Sequence, residues 1–239
     1  MDCDITEIPG ADNLFQPETL LRSVMDRYKR LYDTEESYLL INGSSCGLIA
    51  AVLASVPEGG SLIMARNCHK SVFNALTLGD IRPVYAYPRH EADCGISGAI
   101  EPEEIRRCLD ENPEAAAVIL PSPNYYGICS DVKTIAEIVH QRGKILIIDQ
   151  AHGAHLKFFG LWAEGYPKAA EEQGADLVVN SIHKTLASFT QTALLNVCTK
   201  RTDRRQLEDM LQTLESSSPS YPLMTTLDIN ACLLYTSDS

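Results

Sequence analysis

A lysine and an aspartate occupy positions where an amine and a carboxylate are costly unless the protein uses them. Lys184 lies in "NSIHKTLASFTQTALLNV" between the apolar runs "ADLVV" and "ALLNV", which are typical of buried strands. Asp149 ends the apolar run "KILIID". In a partly apolar pocket, more of a lysine is the neutral nucleophile that forms an imine with an aldehyde. A carboxylate in such a place requires a cation or a strong hydrogen-bond donor.

Both residues also have simpler structural explanations. A lysine at a strand end commonly extends to solvent, and an aspartate there commonly caps the next turn. Asp149, His152 and His155 could together hold a metal ion, but a zinc site needs a further ligand and none stands out. We therefore predict no metal site.

The stretch "NGSSCG", residues 42–47, has the composition of a turn that begins a helix. Gly43 and Gly47 would let the backbone approach a ligand. Ser44, Ser45 and the amides that follow could hold a phosphate at the helix N-terminus. A plain capped turn is an equally open explanation. The stretch is neither GxGxxG nor a Walker loop, which disfavours NAD and ATP.

One ligand would use these features together, and it is pyridoxal 5′-phosphate. Its phosphate suits the loop at 42–47, its aldehyde suits Lys184, and its ring nitrogen stays protonated when a carboxylate such as Asp149 pairs with it. Its flat ring needs a stacking partner, which His69 of "RNCHKS" could supply. We therefore predict that this chain binds pyridoxal phosphate.

The elements that must position these residues alternate along the chain. Patterns of short buried strands occur at 37–41, 61–65, 82–87, 115–120, 144–149 and 176–181. Helical patterns occur at 17–32, 70–79, 102–112 and 131–143. This alternation predicts one α/β domain, with three α/β/α layers around a mainly parallel sheet.

Ligands of such a sheet bind beyond the carboxyl ends of its strands. Five polar loops follow the predicted strands, and they are 42–47, 66–71, 121–127, 149–155 and 181–185. We expect these loops to meet at one edge of the sheet and to form the site.

Composition limits the possible partners and the compartment. The net charge of −12 argues against nucleic acid and anionic membranes as partners. No apolar run in the sequence is long enough to span a membrane. The eight cysteines form no close pair, which favours reduced thiols in a cytoplasmic protein that acts on a small molecule.

Taken together, the motifs resemble the major domain of the Orn/Lys/Arg decarboxylases, which are pyridoxal-phosphate enzymes of fold type I. The similar stretches are "DITEIPGADNLF", "NGSSCG", "ARNCHKSVFNAL", "PSPNYYGICSD", "DQAHGAHLKF", "GADLVVNSIHKTLASFTQT" and "SSSPSYPLMTTLD". The resemblance implies decarboxylation of lysine, ornithine or arginine to an amine and carbon dioxide. It also implies a homodimer or a higher homo-oligomer.

The resemblance implies specific roles for residues of this chain. Lys184 would form the imine, Asp149 would pair with the pyridine nitrogen, His69 would stack on the ring, and His152 would lie near the cofactor. These four are the predicted catalytic residues. The predicted cofactor-binding residues are Ser44, Ser45, Cys46, His69, Asp149, Ala151, His152, Ser181, His183 and Lys184. Asn124 and Tyr125 are further candidates for the pocket.

Two features depart from the family's pattern. The His-x-Pro-Gly-His segment that usually precedes "DITEIPG" is absent, and so is the small domain that usually follows residue 228. The last residues, "LLYTSDS", resemble a translated sequencing adaptor. We therefore expect residues 1–232 to form a large domain that is incomplete at both ends, and 233–239 to be a non-native tail.

Two other hypotheses about function stay open at this point. One is a different enzyme of the same fold, an aminotransferase or a carbon–sulfur lyase, because orientation in the site decides which bond breaks. The other is an inactive fragment that at most binds the cofactor.

Overall fold

A computed structural model describes residues 5, 8, 10–159 and 165–237 of the chain. The predicted strands are present within one or two residues of their expected bounds. The strands are β1 (Glu36–Leu40), β2 (Ser61–Ala65), β3 (Arg82–Ala86), β4 (His90–Glu91), β5 (Ile96–Ser97), β6 (Ala117–Pro121), β7 (Ile145–Asp149), β8 (Leu177–Asn180) and β9 (Ala193–Val197).

The helices of the described residues separate most of these strands. They are α1 (Leu20–Tyr32), α2 (Gly43–Ser55), α3 (Lys70–Leu78), α4 (Pro102–Glu111), α5 (Val132–Gln141), α6 (Leu156–Phe159), α7 (Ile182–Thr185), α8 (Arg204–Leu214) and α9 (Tyr221–Ser237). A 3₁₀ turn covers Ala170–Gln173. No helix among the described residues is long and apolar enough to cross a membrane.

Seven of the strands form one sheet in the order β1-β9-β8-β7-β6-β2-β3. Strand β9 pairs antiparallel with β1 and β8, and the other neighbouring pairs are parallel. The prediction of a mainly parallel sheet is confirmed. The reversal of β9 was not foreseen, and it arises because the chain turns back after α7 without the longer crossover that a parallel connection requires.

Helices cover both faces of the sheet, which confirms the three-layer α/β/α architecture. At β1 the side chains alternate between two apolar cores, as the two-residue period of a strand requires. Leu39 packs in the core with Tyr28 of α1 and Leu227 of α9. Leu40 packs in the larger core with Leu48 of α2.

Both ends of the predicted domain remain matters of prediction. Helix α9 continues through Ser237, so most of the expected tail at 233–239 is helical, while 238 and 239 lie outside the described residues. Much of "DITEIPG" lies outside them as well. A helix by itself does not distinguish native from non-native sequence, and the boundary at residue 232 stays a prediction.

Candidate active site

The polar loops that follow β1, β2, β6, β7 and β8 meet at one edge of the sheet, as predicted, around a cavity of about 300 Å³. These five strands run in the same direction, so their carboxyl ends lie at that edge. The cavity is lined by Gly43, Ser44, Ser45, Leu48, Asn67, His69, Pro121, Pro123, Tyr125, Asp149, Ala151, His152, His183 and Lys184.

The first turn of α2 forms one wall of the cavity. Gly43 has φ of +80°, a conformation that glycine adopts without strain, and it lets the chain turn directly from β1 into the helix. Ser44 and Ser45 follow in the first turn, where backbone N–H groups have no partner within the helix. The turn therefore has the composition and position of an anion site.

Asp149 lies at the carboxyl end of β7 and is buried. Its Oδ1 accepts a hydrogen bond of 3.1 Å from the backbone N–H of Ala151. Burial raises the pKa of Asp149, while that hydrogen bond and the nearby His69 and Lys184 oppose the rise. The expectation of a desolvated carboxylate at this strand end is thus confirmed.

His69 caps the N-terminus of α3 and lines the cavity. Its Nδ1 accepts a hydrogen bond from the backbone N–H of Ser71 at 3.2 Å and lies 2.8 Å from the Ser71 hydroxyl. Partial burial lowers the pKa of His69, and Lys184 and Lys70 lower it further against the opposing effect of Asp149. The imidazole is therefore favoured in its neutral form, with its ring orientation set by the cap.

Lys184 lies in the short helix α7 between β8 and β9, and its side chain is exposed. The expectation of a partly buried lysine is wrong for the structure described here, although both flanking strands are buried as predicted. A single helical turn separates the two strands, and it places Lys184 at the rim of the cavity. Its Nζ lies 3.3 Å from Nε2 of His152.

His152 connects Lys184 to the aromatic rim of the cavity. The ring of Tyr125, which is 80% exposed, makes an edge contact with the imidazole, with centroids 5.7 Å apart. Burial lowers the pKa of His152, and the charges of Lys184 and His69 lower it further. A neutral His152 can accept a hydrogen bond from the Lys184 amine at Nε2.

Ser181 and His183 lie on the same strand–helix junction as Lys184. Ser181 is fully buried, and its hydroxyl donates a 2.8 Å hydrogen bond to the Ser44 hydroxyl, so it supports the α2 turn from behind. Nδ1 of His183 donates to the carbonyl oxygen of Thr192 at 2.8 Å. That bond leaves Nε2 of His183 as the ring nitrogen available on the cavity side.

Two candidate residues, Cys46 and Asn124, do not line the cavity, and neither does Ser181, which lies behind the α2 turn. Cys46 points into the interior beside Glu215, where burial raises the pKa of its thiol to about 12. Asn124 donates from Nδ2 to the carbonyl oxygen of Ser97, so it shapes the loop and does not line the cavity. His155 likewise lies outside the cavity lining, and no cluster of three metal-ligating residues occurs within the described part of the chain.

The glycines of "NGSSCG" have different tasks, and only one of them faces the cavity. Gly47 is buried against the sheet, where a Cβ atom would lie 2.5 Å from Cδ1 of Leu40 and 3.3 Å from Cγ1 of Val179. The prediction that Gly47 lets the backbone approach a ligand is therefore wrong. Gly47 instead allows α2 to pack closely on β1 and β8.

Sequence reasoning missed several residues that line the cavity, namely Leu48, Asn67, Pro121 and Pro123. Asn67 lies in the predicted polar loop "RNCHKS", and its buried Oδ1 has no hydrogen-bond partner among the described residues. Its place after β2 was the available signal. Pro121 and Pro123 lie in the predicted loop 121–127 and had the same signal, whereas Leu48 had none because apolar residues are common at any packed surface.

Taken together, these residues fit pyridoxal phosphate on structural grounds. The α2 turn offers amides and two hydroxyls for a phosphate, and Lys184 offers an amine at the rim. Asp149 is a buried carboxylate with one hydrogen-bond donor, the backbone N–H of Ala151, among the residues that the structure describes. The fold and this set of groups define the class, which is that of the large domain of pyridoxal-phosphate enzymes of fold type I.

Comparison with known proteins identifies the family within that class. The family model described as the major domain of Orn/Lys/Arg decarboxylase matches residues 1–238, and the chain belongs to this family. Membership in this family, together with the fold, supports pyridoxal phosphate as the cofactor.

The chain spans about a third to a half of the length of the curated relatives that it matches. It is 36% identical over 227 residues to an uncharacterized protein, YaaO, of Bacillus subtilis, covering 95% of this chain and 46% of that protein. It is 28% identical to the arginine decarboxylase of the same organism, covering 96% and 46%. It is 22% identical to the lysine decarboxylase LdcA of Pseudomonas aeruginosa, covering 95% and 32%.

Solved structures show the same fold. The lysine decarboxylase A of Pseudomonas aeruginosa superposes with a TM-score of 0.81 at 22% identity, covering 97% of this chain and 33% of that one. The L-threonine transaldolase of Pseudomonas fluorescens superposes with a TM-score of 0.74 at 15% identity, covering 92% and 49%. Likeness at these identities concerns the fold alone.

Proposed function

We propose that the protein containing this chain is a pyridoxal-phosphate-dependent decarboxylase of a basic amino acid, lysine, ornithine or arginine. The single observation behind the proposal is the convergence of Lys184, buried Asp149 and the first turn of α2 on one cavity. Support for a basic substrate comes from the family and from the names of similar curated proteins.

Each of these residues has a task that its position supports. Ser44, Ser45 and the amides of the α2 turn would hold the phosphate, with Ser181 fixing the orientation of the Ser44 hydroxyl. Asp149 would hold a proton on the ring nitrogen. The bound cofactor withdraws electrons from a bond at the α-carbon of the amino acid.

The histidines have separate tasks in the same cavity. His69, fixed by its cap on α3, would lie against the ring. His152 can accept a hydrogen bond at Nε2 from the Lys184 amine, 3.3 Å away, and so can orient that amine at the rim of the cavity. His183 presents Nε2 to the cavity because its Nδ1 is held by Thr192.

The protein's assembly and location are further parts of the proposal. We propose a homodimer or a higher homo-oligomer, because Tyr125 is exposed at the rim of the cavity and the family resemblance implies shared sites. We propose a cytoplasmic location because the seven cysteines that the structure describes are all free.

The proposal is tested by measuring the products of the full-length protein, with its flanking sequence recovered from the genome. With pyridoxal phosphate, carbon dioxide should be released from lysine, ornithine or arginine in a one-to-one ratio with the amine. Formation of a keto acid without carbon dioxide would instead support an aminotransferase. The chain of residues 1–239, assayed alongside, tests the remaining hypothesis, because binding of cofactor without any carbon dioxide release would support an inactive fragment.

A further inference from the structure

A second cavity lies on the other side of the segment that leads into the α2 turn. Its volume is about 190 Å³, and its walls come from α1 and the residues that precede it, from β1, and from α8 with its C-cap. The apolar residues of its lining are Leu14, Phe15, Met25, Leu39 and Leu211. The polar residues of its lining are Tyr38, Glu208, Asp209, Gln212 and Glu215. It shares no lining residue with the active-site cavity.

Glu215 is the unusual residue of this second cavity. Its side chain is 7% exposed, and its Oε1 has no hydrogen-bond partner among the described residues. Its carboxyl group is held by the backbone N–H groups of Ile41, 3.5 Å from Oε2, and of Asn42, and burial raises the pKa of Glu215 to about 7. The Cys46 thiol is a neighbour, but a thiol is a weak donor. A buried carboxylate is normally paired with a cation, and no lysine or arginine of the described chain influences this one.

Helix α8 adds two features that favour a cation here. Glu215 caps the C-terminus of α8, where the last carbonyl groups carry partial negative charge. Glu208 lies seven residues earlier on the same side of the helix, so the two carboxylates are about 10 Å apart at about 1.5 Å per residue. Asp209 is an exposed carboxylate beside Glu208 and lies at the same end of the cavity.

The carboxylate at the Glu208 end is partly neutralised, which makes the two ends unequal. Glu208 accepts a hydrogen bond of 2.5 Å from the Tyr38 hydroxyl and lies 3.8 Å from Arg204. No salt bridge among the described residues involves Asp209 or Glu215. Among the described residues, the lining carboxyl groups without a salt bridge are therefore those of exposed Asp209 and buried Glu215, and an ammonium group beside Glu215 would favour its ionised form.

We propose that this second cavity binds a linear aliphatic diamine. One ammonium group pairs with Glu215, the alkyl chain packs on Leu14, Phe15 and Met25, and the other ammonium group reaches Asp209. A monoamine satisfies one end only, and a neutral alcohol satisfies neither. Glu215 also accepts a hydrogen bond from the backbone N–H of Ile41, two residues before Gly43. The bound diamine would therefore contact a residue that holds the segment leading into the α2 turn, without entering the active-site cavity.

The test is calorimetric titration of the full-length protein with 1,5-diaminopentane. We expect saturable binding at one site per chain that is unchanged in Lys184→Ala, which alters the active-site cavity. Glu215→Gln keeps the shape of the side chain and should weaken the binding by at least about tenfold, the usual effect of losing a charge-assisted hydrogen bond. Glu137→Gln, on the exposed face of α5, is the charge-matched control and should bind as the unaltered protein does.

The outcomes separate the proposal from its alternatives. Weaker binding of butylamine than of the diamine, and weaker diamine binding by Asp209→Asn, would support the two-ended arrangement. Thermal melts of each variant show whether it is folded, and the Asp209→Asn substitution on the exposed rim provides the test if Glu215→Gln does not fold. The proposal is overturned if no saturable heat appears, or if Lys184→Ala removes the heat while Glu215→Gln leaves it unchanged.

Discussion

At the scale of single residues, the candidate active site combines a buried carboxylate with groups that compensate its charge. Asp149 is costly to ionise because it is buried, and His69 and Lys184 reduce that cost from the cavity side. The remaining cost would be removed by a protonated ring nitrogen. We therefore expect Asp149 to lower the stability of the cofactor-free protein and to raise the stability of the protein with the cofactor bound.

The first prediction concerns Lys184. Lys184→Ala should abolish the visible absorbance of lysine-bound pyridoxal phosphate and the peptide labelled after borohydride reduction, because Lys184 is the one lysine of the described residues that lines the cavity. Activity should fall by at least about a thousandfold. Lys157→Ala, a neighbouring lysine that pairs with Glu172, is the control and should leave both signals unchanged. A labelled peptide centred on another lysine would contradict the assignment.

The second prediction concerns Asp149. Asp149→Asn should reduce turnover at least about a hundredfold, since it removes a charge that the cofactor's ring nitrogen needs. The cofactor-free variant should nevertheless be as stable as the unaltered protein or more so, and the difference should grow with pH. Burial raises the pKa of Asp149 in the folded protein above its value in the unfolded chain. At low pH the protonated carboxyl therefore favours the folded state, and this contribution to stability is lost as the pH rises through the folded pKa.

Thermal melts of the two cofactor-free proteins at pH 5 and pH 8 measure this effect. A melting temperature for Asp149→Asn that is lower than that of the unaltered protein at pH 8 would indicate that Asp149 acts as a structural cap. Near-normal turnover would point to the same conclusion.

At the scale of elements, the site depends on how closely α2 packs on the sheet. Residues 43–45 can reach the cavity only because Gly47, one turn later, lets the helix approach Leu40 of β1 and Val179 of β8. The turn is also tied to β8 by the hydrogen bond between Ser181 and Ser44. The position of the anion site is thus set by packing at a residue that does not touch the ligand.

The third prediction tests this packing. Alanine is ordinarily better than glycine inside a helix by up to about 1 kcal/mol. Gly47→Ala should instead lower the free energy of unfolding by about 1–3 kcal/mol, because its Cβ would lie 2.5 Å from Leu40 Cδ1 in a close-packed core. Cofactor affinity should fall with it as the α2 turn shifts. Urea unfolding and cofactor titration measure the two effects.

The exposed Asn74→Ala in α3 serves as the control for helix propensity, and it should be neutral or stabilising. A stabilising effect of Gly47→Ala of the same size would show that α2 can adjust without cost.

At the scale of the whole molecule, one buried polar network joins the centre of the sheet to the 3₁₀ turn. Oε1 of Glu171 accepts from Asn180 of β8 and Asn196 of β9, each at 2.8 Å, and Oε2 accepts from Gln150 at 2.8 Å. Gln150 follows Asp149 directly. A single carboxylate therefore fixes β9 beside β8 and supports the strand end that presents Asp149.

The fourth prediction is that Glu171→Ala lowers the free energy of unfolding by about 3 kcal/mol or more. The substitution removes an acceptor shared by three buried amide groups; Gln150 keeps a hydrogen bond to Asn180, while Asn180 and Asn196 keep no acceptor for Nδ2 among the described residues, and each unsatisfied group is costly. Glu172→Ala next to it removes only a 3.4 Å surface pair with Lys157 and should cost less than about 1 kcal/mol. Urea unfolding measures both variants. Equal decreases in the free energy of unfolding for Glu171→Ala and Glu172→Ala would contradict the role of the network.

The sequence alone determined the alternation of strands and helices, the edge at which the loops meet, and most of the residues that line the cavity. These follow from local patterns, because an apolar run marks a buried strand and the polar residue after it must lie at the strand's end. Asp149, Lys184, His69 and the serines of the α2 turn were found in this way.

Only the tertiary structure decided the features that depend on contacts between distant segments. The antiparallel direction of β9, the exposed position of Lys184 on α7, the inward orientation of Cys46 and the packing role of Gly47 all depend on neighbours far away in the sequence. The uncompensated Glu215 is of the same kind, since its burial results from β1, α2 and α8 coming together. A residue's type limits its chemistry, but burial and partners are properties of the packed chain.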